Sequence, residues 1–425
     1  MNDMNAQPLD VIGIGFGPSN LALAVALHER GSRLRAGFLE AKPAFAWHPD
    51  MMLAGTDMQV SFLKDLVSLR NPRSGFSFLS YLHAKGRLSR FINRKTFFPS
   101  REEFNDYLGW IAGQFSNCHY DSRVTGIEPV QKGDRVTHLA VHSQSADSRQ
   151  TRHLARNVVL APGGKPHWPE VFAPLRDSGR VFHTNDYLSQ VAPRLKPGQR
   201  IAVIGAGQSA AEVFADLAAR PEQPRVDMIL RGRAIKPSDD TPFVNEIFDP
   251  AQTDRFHGLP EEARAQTLHS LAATNYAVTD ADLIEQIYET LYAQDVRGDD
   301  RLGLMAETRV QKAQQAGAQV ALHLSGPSGS QVAGYDLVVL GTGYRRALDQ
   351  SVLSDLIPWQ AASEPDRDYR LPMKNRFEPG IFVQGFSEPT HGLSDTLLSV
   401  LALRSDEIAQ QLETLHGSAS AIAAE

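Results

Sequence analysis

Cysteine is almost missing from this 425-residue chain, where Cys118 is the only one. One thiol cannot close an intramolecular disulfide, form a CxxC redox pair or build a cysteine zinc site. Charge of one sign is missing too, since 43 basic and 49 acidic residues leave a formal net charge of −6. That balance gives no electrostatic reason to expect nucleic acid or an anionic lipid surface as a partner. No apolar run reaches the length of a membrane span, so no stable membrane association is expected. Met1–Asp10 is short and polar rather than basic and then apolar, so no secretory leader is expected and the cytoplasm is the expected compartment. What is present is an ordinary composition, 42% hydrophobic and 22% charged, in a chain long enough for two or three structural units.

Two stretches share one pattern. The apolar run Leu9–Gly15 reads as a buried strand that stops in GIGFGPSN (Gly13 to Asn20), and a helical run follows from Leu21 to Leu27. Gly37–Glu40 reads as the next strand, closed by an acid. Glycines at 13, 15 and 17 let backbone approach a pyrophosphate, and the helix N-terminus offers it unpaired N–H groups. Pro18 stands where the fingerprint has glycine or alanine, and proline suits a first helical turn. Glu40, 23 residues past Gly17, suits the hydroxyls of an unphosphorylated ribose, hence FAD. The pattern returns at Arg200–Gly207, a strand ending in Gly205, Ala206, Gly207, Gln208, Ser209 and Ala210, with a helix through Ala219. Its second strand, Val226–Leu230, ends in Arg231. A guanidinium matches a 2′-phosphate and suits a bare hydroxyl poorly, so NADPH is expected over NADH. The competing reading of Arg231 is a solvated strand-end arginine.

Two further strands end in glycine turns, Asn157–Leu160 before Gly163 and Tyr335–Leu340 before Gly341 to Tyr344, and such strands carry a chain between nucleotide domains. Ser238–Arg301 has few strand signals and reads as mixed loop and helix, for example Asp280–Gln294. Ser325–Ser330 reads as a turn between strands, and Gly417–Glu425 as a loose tail. The expected fold is α/β, with two Rossmann-like dinucleotide-binding domains and a mostly helical substrate-binding insertion. The expected boundaries are 1–185 for the first part of the FAD domain and 186–238 for the first part of the NADPH domain. The insertion is placed at 239–302, the rest of the NADPH domain at 303–334, and the rest of the FAD domain, with a C-terminal helix and tail, at 335–425. His138 and His142 have metal-like spacing, but their segment alternates like a strand, which sets them roughly 13 Å apart. No metal is expected.

FAD plus NADPH without a cysteine pair excludes disulfide reductases and leaves oxidases, quinone-type reductases and monooxygenases. Local matches separate these. Gly13–Asn20, Met58–Pro72 (MQVSFLKDLVSLRNP), Phe76–Leu82, Gln208–Glu212 (QSAAE), Asp239–Phe248 (DDTPFVNEIF), Thr274–Tyr276 and His391–Leu401 (HGLSDTLLSVL) resemble, in order, the microbial L-ornithine N5-monooxygenases of siderophore biosynthesis. Lysine N6-hydroxylases and diamine N-hydroxylases are the nearest relatives of that family. The similarity runs from about residue 9 to 415. One departure is Gly341, where the family commonly has alanine before Thr-Gly-Tyr; turn glycine and tyrosine stay in place.

The resemblance implies contacts residue by residue. FAD would be held by the first glycine turn with Glu40, Lys42, Trp47 and His48, by Gln59 near the isoalloxazine, by Val124 near the adenine, and by Thr396, Leu397 and Leu398. NADPH would meet Gly205 to Ser209, Arg231, Asn275, Tyr276 and Ala277. Lys64 would hold the ornithine carboxylate, with Asn245, Glu246, Ile247, Phe248 and Asn275 around the amino-acid end and Leu397 and Ser399 near the reacting amine. No side chain would act as catalytic acid, base or nucleophile; Gln59 and Asn275 would lie near the reacting centre. Without the resemblance, Lys64 could snorkel to solvent, Asn245 and Asn275 could be turn residues, and Ser399 could bond its own backbone.

The implied chemistry is the flavin's. NADPH reduces FAD, reduced flavin and O₂ form a C4a-hydroperoxide, and the neutral amine of L-ornithine attacks its distal oxygen to give N5-hydroxy-L-ornithine. The partners implied are L-ornithine and O₂, and a homo-oligomer is allowed. The same chemistry on lysine, putrescine or cadaverine is an alternative, since one methylene is worth only about 1–3 kcal/mol in an apolar pocket. An uncoupled NADPH oxidase or a non-catalytic nucleotide-binding regulator is the reading from another class.

Overall fold

The computed structural model describes residues 7–422, with side chains through residue 417. The polar start at residues 1–6 and the final residues 423–425 lie outside the described residues. Two large sheets, one mixed and one parallel, organise the chain. In the first, Leu9–Ile14 lies between Ala36–Leu39 and Gln150–Leu160, parallel to both. Cys118–His119 extends one edge, and Arg135–Gln144 and Arg123–Lys132 continue the other as an antiparallel meander. Ile381–Val383 returns near the C-terminus to pair with the end of Gln150–Leu160. Helix Pro18–Glu29 is apolar all round because it is covered twice, by this sheet and by the last helix, Leu401–Ile422. Leu21, Leu23 and Val25 have no exposed surface, each contributing roughly 1.5–3 kcal/mol by burial.

The second sheet has five parallel strands in the order Leu302–Met305, Arg225–Ile229, Arg200–Ile204, Leu337–Leu340, Val181–His183. Arg309–Ala316, Gln319–Gly326 and Gly329–Tyr335 form a separate antiparallel sheet. The two passages between the large sheets lie side by side, Lys165–Pro166 pairing antiparallel with Tyr344–Arg345. Among the described residues no helix is long and apolar enough to cross a membrane.

Pairing moves several expected boundaries. Val181–His183, expected within the first domain, pairs with Leu337–Leu340, and that strand, expected to begin the return to the first domain, pairs with Arg200–Ile204. Both therefore belong to the second sheet. Helix Ala281–Arg297, expected within the insertion, packs on Gln208–Ala219 and feeds Leu302–Met305, so it is the crossover helix of the second sheet. The insertion is narrower: it leaves at Lys236–Pro237 and returns at Val278–Thr279, two short strands paired parallel. The expected tail is also shorter, because the last helix continues past Gly417 to Ile422.

Candidate functional site

The first glycine turn is built for close approach. Gly15 sits at φ +82, and a Cβ there would lie 2.5 Å from the carbonyl oxygen of Ala161. Gly17 precedes helix Pro18–Glu29 in extended backbone with no side-chain cap, and nothing lies within 4 Å of a Cβ built on it. An uncapped helix start with open space beside Gly17 suits an anion. Glu40 is pinned beside this turn, accepting from the Phe16 N–H at 2.8 Å and the Lys42 N–H at 2.9 Å. Behind the turn lies a buried ion pair. Arg404 donates to Asp395 at 2.8 Å and to the Ser19 hydroxyl at 3.0 Å, and Asp395 accepts the Ser387 N–H at 2.7 Å. One guanidinium thus ties the head of the first helix to Leu393–Thr396, the turn that leads into Leu397.

The second turn packs more tightly. Gly205 has φ +142, and a Cβ there would run into the carbonyl of Gly341; a Cβ on Gly341 would lie 2.5 Å from that of Ala210. Alanine, the residue expected at 341, would crowd this contact, so glycine has a local reason here. Gly207 precedes helix Gln208–Ala219, again with no side-chain cap. Arg231 follows the strand Arg225–Ile229 and is exposed; among the described residues no carboxylate lies within ion-pair distance of it. The Gln208 side chain is spent inside the protein. Its Nε2 donates to Glu212 at 2.8 Å and to Asp280 at 3.0 Å, and its Oε1 accepts the Asp280 N–H at 2.8 Å. Only its backbone N–H remains for a nucleotide.

Between the two turns, the insertion rests on the closing turn. Glu246–Phe248 packs on Leu393–Thr396, and Phe256 lies 3.3 Å from a Cβ built on Gly392. Asn275 ends helix Glu261–Asn275, and Ala277 at φ 58 turns the chain back toward the sheet. Tyr276 reaches across to Glu388 and Thr396. Burial and the Glu388 contact push its phenol up to about 12. Gln59 donates to Asp280 at 2.9 Å. Lys64 is half-buried, and among the described residues no carboxylate lies within ion-pair distance of its ammonium.

Trp47 packs against Phe104 at 5.8 Å and against His48 at 5.2 Å. His48, at φ 48, is exposed at its surface while its ring meets Trp47 and Tyr344 edge-on and protein surrounds it beneath. Burial, then Lys42, Arg101 and Arg346, lower its pKa to about 4, so the ring is neutral. Lys42 donates to the Ala46 carbonyl at 2.7 Å. Val124, three strands from Leu9–Ile14, still packs on the cluster that holds Ile14 and Leu39. Ser399 is buried in the short turn Leu398–Val400. Asn245 has the turn role among its readings, its Nδ2 donating to the Asp240 carbonyl at 2.7 Å. No contact joins Lys64 directly to Asn245 or Asn275 among the described residues. His138 and His142 lie on the strand Arg135–Gln144. Among the described residues no group of three His, Cys, Asp or Glu could hold a metal ion.

Asp280, Glu212 and Arg101 were missed in the sequence. Glu212 ends the segment QSAAE, and Asp280 precedes a helix, so each was visible as a residue while neither showed a role. Arg101 pairs with Glu212 through two contacts of 2.6 and 2.7 Å, nearly buried, joining a helix of the first unit to one of the second.

A family model for L-lysine 6-monooxygenase/L-ornithine 5-monooxygenase matches residues 7–346. An L-ornithine N(5)-monooxygenase of Pseudomonas aeruginosa is 45% identical over 413 residues, covering 95% of this chain and 93% of that protein. Among solved structures, an ornithine N-hydroxylase of Kutzneria with reduced FAD, NADP⁺ and L-ornithine is 36% identical, with TM-score 0.91 over 96% of this chain and 99% of that one. An L-lysine 6-monooxygenase from Pseudomonas syringae is 34% identical, with TM-score 0.84 over 96% of this chain and 99% of that one.

Proposed function

The chain belongs to the L-lysine 6-monooxygenase/L-ornithine 5-monooxygenase family, and from this we propose that it converts L-ornithine to N5-hydroxy-L-ornithine with NADPH, FAD and O₂. The observation that carries the reading is chain-long identity to an L-ornithine N(5)-monooxygenase, spanning both sheets, the insertion and the closing turn. The product's hydroxylamine nitrogen is the one a hydroxamate siderophore requires, and the cytoplasm, with its NADPH supply, is the compartment that fits.

Both cofactors fit their turns on this chain's own geometry. An uncapped helix start with open space beside Gly17, on a turn closed by Gly13 and Gly15, suits a pyrophosphate, and the Glu40 carboxylate suits ribose hydroxyls. At the second turn an unpaired guanidinium, Arg231, suits a 2′-phosphate dianion. In this reading Gly13, Gly15, Gly17, Glu40, Trp47, His48, Gln59 and Thr396 to Leu398 hold FAD. Gly205 to Ser209 and Arg231 hold NADPH, and Asn275 serves coenzyme and substrate together.

Bound FAD, reduced by NADPH, supplies the oxygen activation that no side chain here can provide. The chain's own work is placement. Lys64 pairs with the substrate carboxylate and so fixes the far end of the molecule. The insertion, seated on Leu393–Thr396 through Phe248 and Phe256, excludes water from the space above the closing turn. A free amine of this kind has a pKa of about 10.4 and is charged at neutral pH. Desolvation under the insertion lowers that value and favours the neutral form, whose lone pair can react. Neutral His48 and the buried, neutral His391, its pKa lowered to about 4, add no cation that would compete for the substrate carboxylate.

The test is hydroxylated amine formed per NADPH consumed, with ornithine, lysine and putrescine in separate assays. The reading expects a ratio near one with ornithine and low ratios with the other two. Equal coupling with putrescine, or NADPH consumption without hydroxylamine from any substrate, would overturn it.

A further inference from the structure

A polar bridge runs from the first nucleotide unit to the second, and Asp280 stands at its centre. An aspartate immediately before a helix usually turns its carboxylate onto the first N–H groups, an interaction worth about 1 kcal/mol. Asp280 precedes helix Ala281–Arg297 and makes no such bond. Its Oδ1 instead accepts from Gln59 Nε2 at 2.9 Å, and its Oδ2 from Gln208 Nε2 at 3.0 Å. Its own N–H donates to Gln208 Oε1 at 2.8 Å. The second N–H of Gln208 goes to Glu212 at 2.8 Å, and Glu212 is clamped by Arg101. Gln59 and Arg101 come from the first unit; Gln208, Glu212 and Asp280 come from the second.

We propose that Asp280 is a positioning residue for hydride transfer, holding the flavin-side Gln59 and the NADPH-side Gln208 in one fixed relation. The proposal rests on the functional reading above. A carboxylate only accepts hydrogen bonds, so it dictates which end of each amide it meets. The NH₂ of Gln59 must face Asp280, which leaves the Gln59 carbonyl oxygen, with no partner among the described residues, as the atom for the cofactor. Gln208 heads the helix whose first N–H groups face the second turn, so fixing its amide at both ends fixes the start of that helix. In the step concerned, a C–H bond of NADPH breaks, its electron pair and hydrogen pass together to FAD, and NADP⁺ and reduced flavin result. That transfer needs the reacting atoms roughly 3–3.5 Å apart, and a misplacement of about 1 Å costs on the order of 100-fold in rate. A link of two hydrogen bonds of 2.9 and 3.0 Å through one carboxylate between the units is the kind of contact that sets such a distance.

Asp280→Ala removes both acceptors, and Asp280→Asn keeps the shape but presents an NH₂ to one of the two glutamines. In anaerobic stopped-flow experiments with the FAD-loaded enzyme, the limiting rate of flavin reduction by NADPH should fall about 10- to 100-fold in Asp280→Ala and less in Asp280→Asn. The Kd for NADP⁺, measured by titration calorimetry on oxidised enzyme, should stay within about 3-fold of wild type, because no coenzyme contact is removed. FAD content should stay unchanged and melting temperature should fall by no more than a few degrees, the size expected for two lost hydrogen bonds. Deuterium at the transferring position of NADPH should slow the variants at least as much as wild type. A wild-type reduction rate in either folded variant overturns the proposal. So does a rate loss that tracks a matching loss of NADP⁺ affinity, FAD or melting temperature, since that marks binding or folding rather than placement. If wild-type enzyme itself is not reduced by NADPH, the functional reading fails first and separately.

Discussion

Lys64→Ala should cost ornithine binding and coupling while leaving flavin reduction alone. The residue is half-buried, and among the described residues its ammonium has no carboxylate partner. Partial burial without a counter-ion is unfavourable, so the position fits a charge whose partner arrives with the substrate. A hydrogen bond to a charged group is worth roughly 1.5–3 kcal/mol, which is about 10- to 150-fold in affinity. The apparent KM for ornithine should rise by that factor. The reacting nitrogen lies at the other end of the molecule, so a loosely held substrate also misplaces its amine, and hydrogen peroxide should appear where hydroxylamine is lost. Putrescine has no carboxylate and should lose little further in the variant. The assay follows NADPH oxidation, hydroxylamine and hydrogen peroxide in parallel, with anaerobic reduction as the control. Unchanged KM and coupling for ornithine in Lys64→Ala would refute the assignment, and the diamine reading would gain most.

Arg231→Ala should narrow the kcat/KM preference for NADPH over NADH by about 10- to 150-fold, the worth of one charge-assisted phosphate contact; equal efficiency with both coenzymes in wild type would defeat the coenzyme reading. Cys118→Ser should keep coupled hydroxylation within a few-fold of wild type, because burial pushes the thiol up to about 12 and leaves it protonated and unreactive; lost flavin reduction in a folded variant would contradict this. The share of stability carried by His183 and His391 should fall as pH is lowered from about 6.5 toward 4, since burial lowers the pKa of both to about 4. That loss should outweigh the opposite pull of Asp65, Glu212 and Glu388, whose pKa values burial raises. Each histidine is neutral in the fold while the unfolded chain takes up protons below 6.5, so the unfolded state binds more protons in that window. A urea midpoint that stays flat between those pH values would argue against it.

The two nucleotide turns were legible because each is a local event. An apolar strand, a glycine turn in which Gly15 or Gly205 has no room for a Cβ, and a helix that starts uncapped all lie within about 15 residues of sequence, and the physics acts over the same distance. Domain boundaries do not behave that way. Val181–His183 is three residues long and is fixed in the second sheet by pairing with Val338–Leu340. Nothing inside those three residues distinguishes one sheet from the other. Helix Ala281–Arg297 shows the same limit from the other side. Its pattern would be identical in an insertion or a crossover, and only the parallel pairing of Leu302–Met305 with Arg225–Ile229 decides between them.

At the site, strand-end residues were the easier half. Glu40 and Arg231 follow from where a strand stops and what a ribose or phosphate needs, so sequence order alone points to them. Asp280 could not be reached that way. An acid before a helix reads as a cap, and by that rule its carboxylate would face its own helix. The structure turns it toward Gln59 and Gln208, 221 and 72 positions away in sequence. Asp395 is a partial parallel: it lies inside a recognisable motif, yet its partners Arg404 and Ser387 are explained only by a guanidinium that also reaches Ser19. Asp280 gives up a local role for one that joins distant segments, whereas Asp395 keeps local partners and reaches the distant Ser19 only through Arg404. The strand-end residues proposed to meet the cofactors are therefore readable from chemistry and spacing. Those that set the distance between cofactors depend on how the two units meet, which only the folded chain displays.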